Sequence, residues 1–317
     1  MGVSPTMKKH PSPTRYKVTN WSDYNRALIN RGNLMLWVSE DVIEVWVQAK
    51  QTGRKGHPFT YNDTAIECML ILKNVFRLAL RQTQGIMSSL MSLIGIELPV
   101  PNYTTLCRRT PGITVTLPRA RKKEGIHLVV DATGLKVYGE GEWKVRKHGK
   151  SKRRTWRKVH LGFDEETGEV MACVLTEKEG HEKNMLPTLL DEVSETIDQV
   201  SGDGGYDFKT CYDVIAGRDA KAVIPPRKSA IFHNNGFMDA RDDNLRRIKE
   251  IGREAWKRES GYHRRSLSET GIYRLKRIFG GALSSNKLDS QNIEVRLRCK
   301  AMNLMTGLGM PKTCPVA

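Results

Sequence analysis

The sequence has no uninterrupted apolar run of membrane-spanning length, no cysteine pair at metal-binding spacing, and too few acids to balance its bases. Each absence excludes a class. The longest apolar region, "AIECMLILKNVFRLAL", is broken by Glu67, Lys73 and Arg77, so it cannot supply the ~20 consecutive apolar residues of a spanning helix. The opening stretch, "MGVSPTMKKHPSPTRYK", lacks the apolar core of a secretory signal, which makes cytoplasm the expected compartment and a membrane an unexpected partner. Cys68, Cys107, Cys173, Cys211, Cys299 and Cys314 are scattered without a Cys-x-x-Cys pair, and predict reduced, mostly buried thiols. His160 and His181 have no further His or Cys at metal-site spacing and read as surface or satisfied histidines. The shortage of acid is the most informative: 35 Asp and Glu face 52 Lys and Arg, net +17. That balance points to a polyanionic partner, with nucleic acid ahead of acidic membrane.

Both parts of the chain are basic, with 15 bases against 7 acids over residues 1–120 and 37 against 28 over 121–317. A basic tail on a neutral enzyme therefore does not account for the charge. A length of 317 residues with 39% hydrophobic content suits two cored domains. Residues 1–20 read as a loose N-terminus. Helical patterns follow in "SDYNRALINRG", in "SEDVIEVWVQAK" and in a long periodic region from Asn62 to about Gly95, expected to break near Gln82 to Gly85. After a Pro-bounded turn, a short helix from about Asn102 carries Arg108 and Arg109. Two helices, a tight connection and a short third helix would make a helix-turn-helix module able to meet phosphates and base edges; an ordinary helical bundle fits the pattern equally well.

The pattern changes between residues 115 and 125. "IHLVVD", "RKVHLGFD", "EVMACVLTE", "QVSGDGG" and "AKAVIPP" read as strands, with helical stretches between and after them, so residues 121–317 predict an α/β layered domain behind the helical region at 21–120. Asp131 closes the first of these strands and Asp203 another, among Gly202, Gly204 and Gly205. Singly, either acid is ordinary turn chemistry. A third, Glu269, lies in "GYHRRSLSETGIYRLKRIFGG", among Arg264, Arg265, Arg274, Lys276 and Arg277. On one helical wheel with Tyr262 at zero, Arg265 falls at about 300°, Glu269 at about 340° and Lys276 at about 320°. The plain alternative is a solvated basic helix with one Arg265–Glu269 pair. Three carboxylates brought together would suit Mg²⁺, a hard ion that prefers oxygen ligands, and two such ions could serve both sides of a phosphodiester.

The spacing Tyr-x2-Arg-x3-Glu-x6-Lys, present as Tyr262, Arg265, Glu269 and Lys276, resembles the fingerprint of the DDE transposases of bacterial insertion sequences, within the insertion sequence five family. The runs "DATGLKVYGEGEWKVRKHGKSKRRTWRKVHLGFD", "SGDGGYD" and "SQNIEVRLRCKAMNLMTGLGMP" are similar to it too, as are "FRLALRQTQG" and "PVPNYTTLCRR", so the likeness covers about residues 20 to 312. One departure is Ala132, where that family leads us to expect Ser. The resemblance implies an RNase H-like catalytic domain, a mixed sheet flanked by helices, with Asp131, Asp203 and Glu269 as catalytic residues and ligands of two Mg²⁺ ions, Mn²⁺ being an alternative. It also implies that Tyr262, Arg265 and Lys276 engage DNA phosphates near the cleaved end.

Further DNA contacts are expected from Arg153 and Arg154, in the acid-free run "KVRKHGKSKRRTWRK", and from Trp256 stacking on an unpaired base, although core packing is the commoner use of such a tryptophan. The expected activity is that of a transposase. It would bind terminal inverted repeats of double-stranded DNA through the helical region, cleave at the element ends and join the 3′-hydroxyls to target DNA, as a homodimer in the synaptic complex on nucleoid DNA. A metal-dependent nuclease on the same fold and a non-catalytic DNA-binding regulator are the rivals.

Overall fold

A computed structural model describes residues 16–47, 60–119, 125–137, 155–233 and 239–316. After a short strand, β1 (Tyr16–Val18), come helices α1 (Trp21–Asn30), α2 (Leu34–Trp37), α3 (Glu40–Glu44), α4 (Asp63–Val75), α5 (Leu80–Leu93) and α6 (Tyr103–Arg109). Side-chain caps set several starts: Asn33, Asn62 and Asn102 each accept a backbone N–H from the first turn of the helix they precede.

The break in the long helical region falls earlier than the sequence reading placed it, at residues 76–79 rather than at Gln82 to Gly85. Arg77 takes a left-handed φ of 53°, and its guanidinium donates to the carbonyls of Arg277 and Ile278, a tertiary compensation invisible to local pattern. Gln82 instead reaches back to accept the backbone N–H of Ala79 at 2.9 Å, so it opens α5 rather than ending a helix. Residues 94–102 join α5 to α6, a connection longer than the three- or four-residue turn of a helix-turn-helix.

The second region is a sheet of β2 (Ile126–Val137), β3 (Trp156–Asp164), β4 (Val170–Glu177), β5 (Ile197–Ser201), β6 (Lys221–Val223) and β7 (Ala282–Leu283). Its order is β4-β3-β2-β5-β6; β3 is antiparallel to both neighbours, β5 and β6 run parallel to β2, and β7 pairs with the far end of β2. Between strands lie α7 (Glu182–Asp191) and α8 (Lys209–Ala216). Beyond β6 come α9 (Asp239–Ile251), α10 (Arg253–Glu259), α11 (Ser266–Phe279) and α12 (Leu288–Gly307), and the closing strand β8 (Thr313–Pro315) pairs antiparallel with β1.

Period-two alternation divides the sheet between two cores. Ile126, Leu128 and Val130 face Leu186, Leu189 and Ile215 of α7 and α8. Leu135, Val159, Leu161 and Phe163 face the opposite way, into one buried cluster with Trp46, Ile66, Met69 and Met87 of the helical region and Leu275, Leu297 and Met302 of α11 and α12. Helix α12 is enclosed on most sides: even Gln291, Glu294, Arg298 and Asn303 are buried on it, and each has a partner, with Asn303 accepting the Val170 N–H at 2.8 Å. Cys68, Cys173, Cys211 and Cys299 are buried thiols, whereas Cys107 is exposed.

Two expectations concern this packing. A Cβ at Gly271 would lie 2.4 Å from Cε1 of the buried Phe163 ring. In an open helix Gly→Ala gains roughly 1 kcal/mol from propensity, but here overpacking of about 1–3 kcal/mol should win, so Gly271→Ala should lower the urea midpoint; an increase would show that α11 is not held this closely. His160 is fully buried, and burial, reinforced by Lys158, depresses its pKa from 6.5 to about 4. The unfolded chain therefore binds this proton first, and stability should fall as pH drops from about 6.5 towards 4. Thermal melts of His160→Gln should decline less over that window than those of the parent; identical slopes would remove His160 as the cause.

Candidate active site

Asp131 does not close its strand, as the sequence suggested, but stands in the middle of the long β2. The position is still an edge of a kind. The parallel ladder with β5 ends at Val129↔Ser201 and the pairing with β7 begins only at Lys136, so the strand around Asp131 is flanked on that side by neither. Asp203 lies two residues beyond the end of β5, as Asp131 lies two beyond Val129, and it caps the 3₁₀ turn Gly204–Tyr206 by accepting the Gly205 N–H at 2.8 Å. Close packing here depends on Gly202: a Cβ would lie 2.8 Å from the Tyr206 ring and 3.2 Å from Val130.

Glu269 lies in the first turn of α11, the helix laid across β2 and β3. The wheel drawn from Tyr262 through Lys276 needs correcting, because Gly261 takes a left-handed φ of 71° and Tyr262–Arg265 form a 3₁₀ turn before the α-helix begins at Ser266. Three of the four fingerprint residues, Tyr262, Arg265 and Glu269, still gather at the N-terminal end of this unit, whereas Lys276 lies in the last turn of α11. Arg265 places Nη1 2.9 Å from Glu269 Oε1 and Nη2 3.4 Å from Asp131 Oδ2, bridging two of the three acids. Ser268 Oγ lies 3.0 Å from the same Asp131 oxygen and 2.8 Å from the Arg265 carbonyl, so its one proton serves either. Asp131 Oδ1 accepts the Ala132 N–H at 2.8 Å.

All three carboxylates act on the same neighbours. Burial raises the Tyr262 pKa; Arg265 opposes the shift, and Asp203, Asp131 and Glu269 add to it. For Arg265, burial works against the charge, but Asp131, Tyr262, Glu269 and Asp203 outweigh it and raise its pKa. Tyr206, buried with its hydroxyl unpartnered among the described residues, is pushed well up by burial, then by Asp131 and Asp203. Neither Ser268 nor Tyr206 was singled out from sequence. Ser268 reads as filler on a polar helix, and Tyr206 shows only as part of "SGDGGYD".

The donor set is chemically apt for a hard divalent cation, being carboxylate oxygen throughout, with an unsatisfied buried hydroxyl beside it. Among the described residues, however, no three His, Cys, Asp or Glu side chains are grouped closely enough to share one ion. The Arg265 guanidinium sits between Asp131 and Glu269, and Glu269 is 63% exposed on a rotatable side chain, so bringing the acids together requires that side chain to turn inward and the guanidinium to yield.

The expected DNA-contacting residues separate. Arg108 is exposed and Lys276 half-buried. Arg109 is engaged within the fold, paired with Asp63 and donating to the Tyr61 carbonyl at 3.1 Å, so it fastens α6 to the start of α4. Trp256 is a correction: it is only 2% exposed, its Nε1 donates to Asn244 Oδ1 at 3.3 Å, and its ring lies 5.8 Å from that of Tyr262, which it supports from beneath instead of offering a face to a base. Arg153 and Arg154 lie outside the described residues. His160 is held by Thr176 Oγ1 at 3.1 Å, and His181 stands at the N-cap position of α7 without a side-chain capping bond.

Exposure, not distance, should rank the two Arg265 pairs. The Arg265–Glu269 pair is shorter but wet, and a double-mutant cycle should give it about 0.3–0.5 kcal/mol. Asp131 is 15% exposed, and its coupling to Arg265 should reach about 1–3 kcal/mol despite the longer contact. The reverse order in urea denaturation would refute a desolvated Asp131–Arg265 contact.

Comparison with known proteins adds the family. One protein-family model, described as a transposase DDE domain, matches residues 122–304, and a second of the same description matches residues 29–140. Among solved structures, a cryo-EM structure of the piggyBac transposase synaptic complex with hairpin DNA is similar at 9% identity and a TM-score of 0.36, over 93% of this chain and 78% of that one. The first model spans more than half of the chain and includes Asp131, Asp203 and Glu269 within a mixed sheet flanked by helices: this protein belongs to the DDE transposase family.

Proposed function

We propose that this transposase binds the terminal inverted repeats of an insertion sequence, cleaves DNA at the element ends and joins the freed 3′-hydroxyls to target DNA. The observation that carries the reading is the juxtaposition of Asp131 on a central strand with Glu269 on the helix packed across it, both held by Arg265. The sheet order, three antiparallel strands followed by two parallel ones, supports an RNase H-like catalytic domain over residues 121–317, with residues 21–120 as the region that reads the repeats.

Asp131, Asp203 and Glu269 would hold the divalent cations, Mg²⁺ by the hardness of the donors and Mn²⁺ as an alternative. Such ions, when bound, supply a more acidic attacking water or hydroxyl and carry charge on the leaving oxygen. The chain's own residues do the rest. Tyr262, kept protonated by its surroundings, donates to a phosphate oxygen, and Lys276, two turns along the helix face from Glu269, neutralises the next stretch of backbone. When Glu269 turns inward, Arg265 gives up one of its two carboxylate partners, and the Nη1 that bonded it becomes available to phosphate. Exposed Arg108 contacts the repeat from the helical region. Two element ends call for two such sites, hence a homodimer on nucleoid DNA.

The test incubates purified protein with a labelled duplex bearing the element's terminal repeat and a target plasmid, with Mg²⁺ or EDTA, beside Asp131→Asn, Asp203→Asn and Glu269→Gln. Joined product that requires Mg²⁺ and falls at least about 10²-fold in each variant, with duplex binding retained, is expected. Cleavage without joining would give the nuclease instead. Any one variant with full activity would leave the ligand set.

A further inference from the structure

At the opposite end of α11 from Glu269, a cavity of about 460 Å³ opens between the helical region and the catalytic sheet. Its wall is built from the end of α4, the chain leaving α11, β7 and α12, and it carries three cations: Lys73, Arg77 and Arg298. Among the described residues, the one carboxylate bonded to this group, Glu294, already has several partners. It accepts the N–H groups of Ser284 and Ser285 at 2.9 and 2.8 Å and the Ser284 hydroxyl at 3.1 Å, and it pairs with Arg298. One negative charge thus answers three positive ones.

The cations keep donors in hand. Arg298, 4% exposed, has Nη1 without a hydrogen-bond partner among the described residues. Lys73 Nζ spends one of its three protons on Ser284 Oγ at 2.6 Å. Burial lowers the Lys73 pKa, Glu294 resists that shift and Arg298 reinforces it, so a bound anion would relieve the ammonium. The C-terminal end of α11 would itself repel an anion, but Arg77 covers it, donating to the Arg277 and Ile278 carbonyls at 2.8 Å.

We propose that this cavity binds a phosphate group, supplied by the DNA backbone at a point remote from the catalytic acids. Phe279 at its rim lies ten residues along α11 from Glu269, roughly 15 Å at 1.5 Å per residue. A duplex seated on the catalytic face and continuing over the end of α11 would then be held at two places on one rigid helix. The proposal needs only that the chain meets DNA, and its measurement involves no cleavage, so a failed joining reaction and a failed phosphate site are told apart.

Two variants test it. Lys73→Gln removes one positive charge. Gly281→Asp places a carboxylate on the wall where a Cβ meets nothing within 4 Å, so folding should survive, which equal melting temperatures would verify. Calorimetric titration of the full chain with inorganic phosphate should weaken about tenfold or more in both. Binding of duplex oligonucleotides between about 50 and 200 mM salt should weaken alike for all sequences, with the salt slope smaller by about 1. Loss of phosphate binding with an unchanged DNA slope would assign the site to a free phosphate rather than to DNA, correcting the source. If folded variants bind both phosphate and DNA as the parent does, the proposal is overturned.

Discussion

The architecture depends on how closely α11 lies on the sheet. Gly271 lets the Phe163 ring fill the space where a side chain would stand, and that approach sets the height of everything N-terminal to it on the helix: Ser268 within reach of Asp131, Arg265 between Asp131 and Glu269, and Tyr262 over Trp256. A helix standing farther off would leave the acids on separate elements with no common neighbour. The cation that bridges two of them offsets like-charge repulsion that would otherwise push the carboxylates apart. In this state the Arg265 guanidinium occupies the space between Asp131 and Glu269.

Helix α12 integrates the rest. Its side chains reach every layer: Arg298 meets Asn74 of α4 and the Ala282 carbonyl of β7, Arg296 meets the Cys173 carbonyl of β4 and Glu192 beyond α7, and Asn303 joins β4 to the Pro118 carbonyl. Polar residues buried on one helix in this number are costly unless each is satisfied, and the strictness of that requirement gives the packing a unique register. The helical region and the sheet therefore share a core.

Much of this was legible in the chain. Strand runs follow from alternation; Glu269 stood out because it lies among five basic residues, and Asp131 and Asp203 because they were read as closing strand runs. What escaped was long-range. The helix break at Arg77 is stabilised by carbonyls two hundred residues away, which no local window contains. Arg109 and Trp256 carry side-chain types suited to nucleic acid, yet Asp63 and Asn244 claim them for the fold. Tyr262 kept its place near Glu269 although the helix assumed for it is a 3₁₀ turn, since a short spacing tolerates an error of geometry that a longer one would not. The cavity beside Lys73 escaped for a related reason: its three cations come from positions 73, 77 and 298.

The pairing of β1 with β8 has a consequence for the order of events in synthesis. Tyr16 finds its partner in Pro315, and the core around Trp46 and Ile66 is closed by α12. While residues 288–307 remain on the ribosome, the helical region has emerged with its apolar face uncovered and its basic surface already displayed. Because the partners that close this core are so far apart in sequence, its completion has to wait for contacts that form late and slowly.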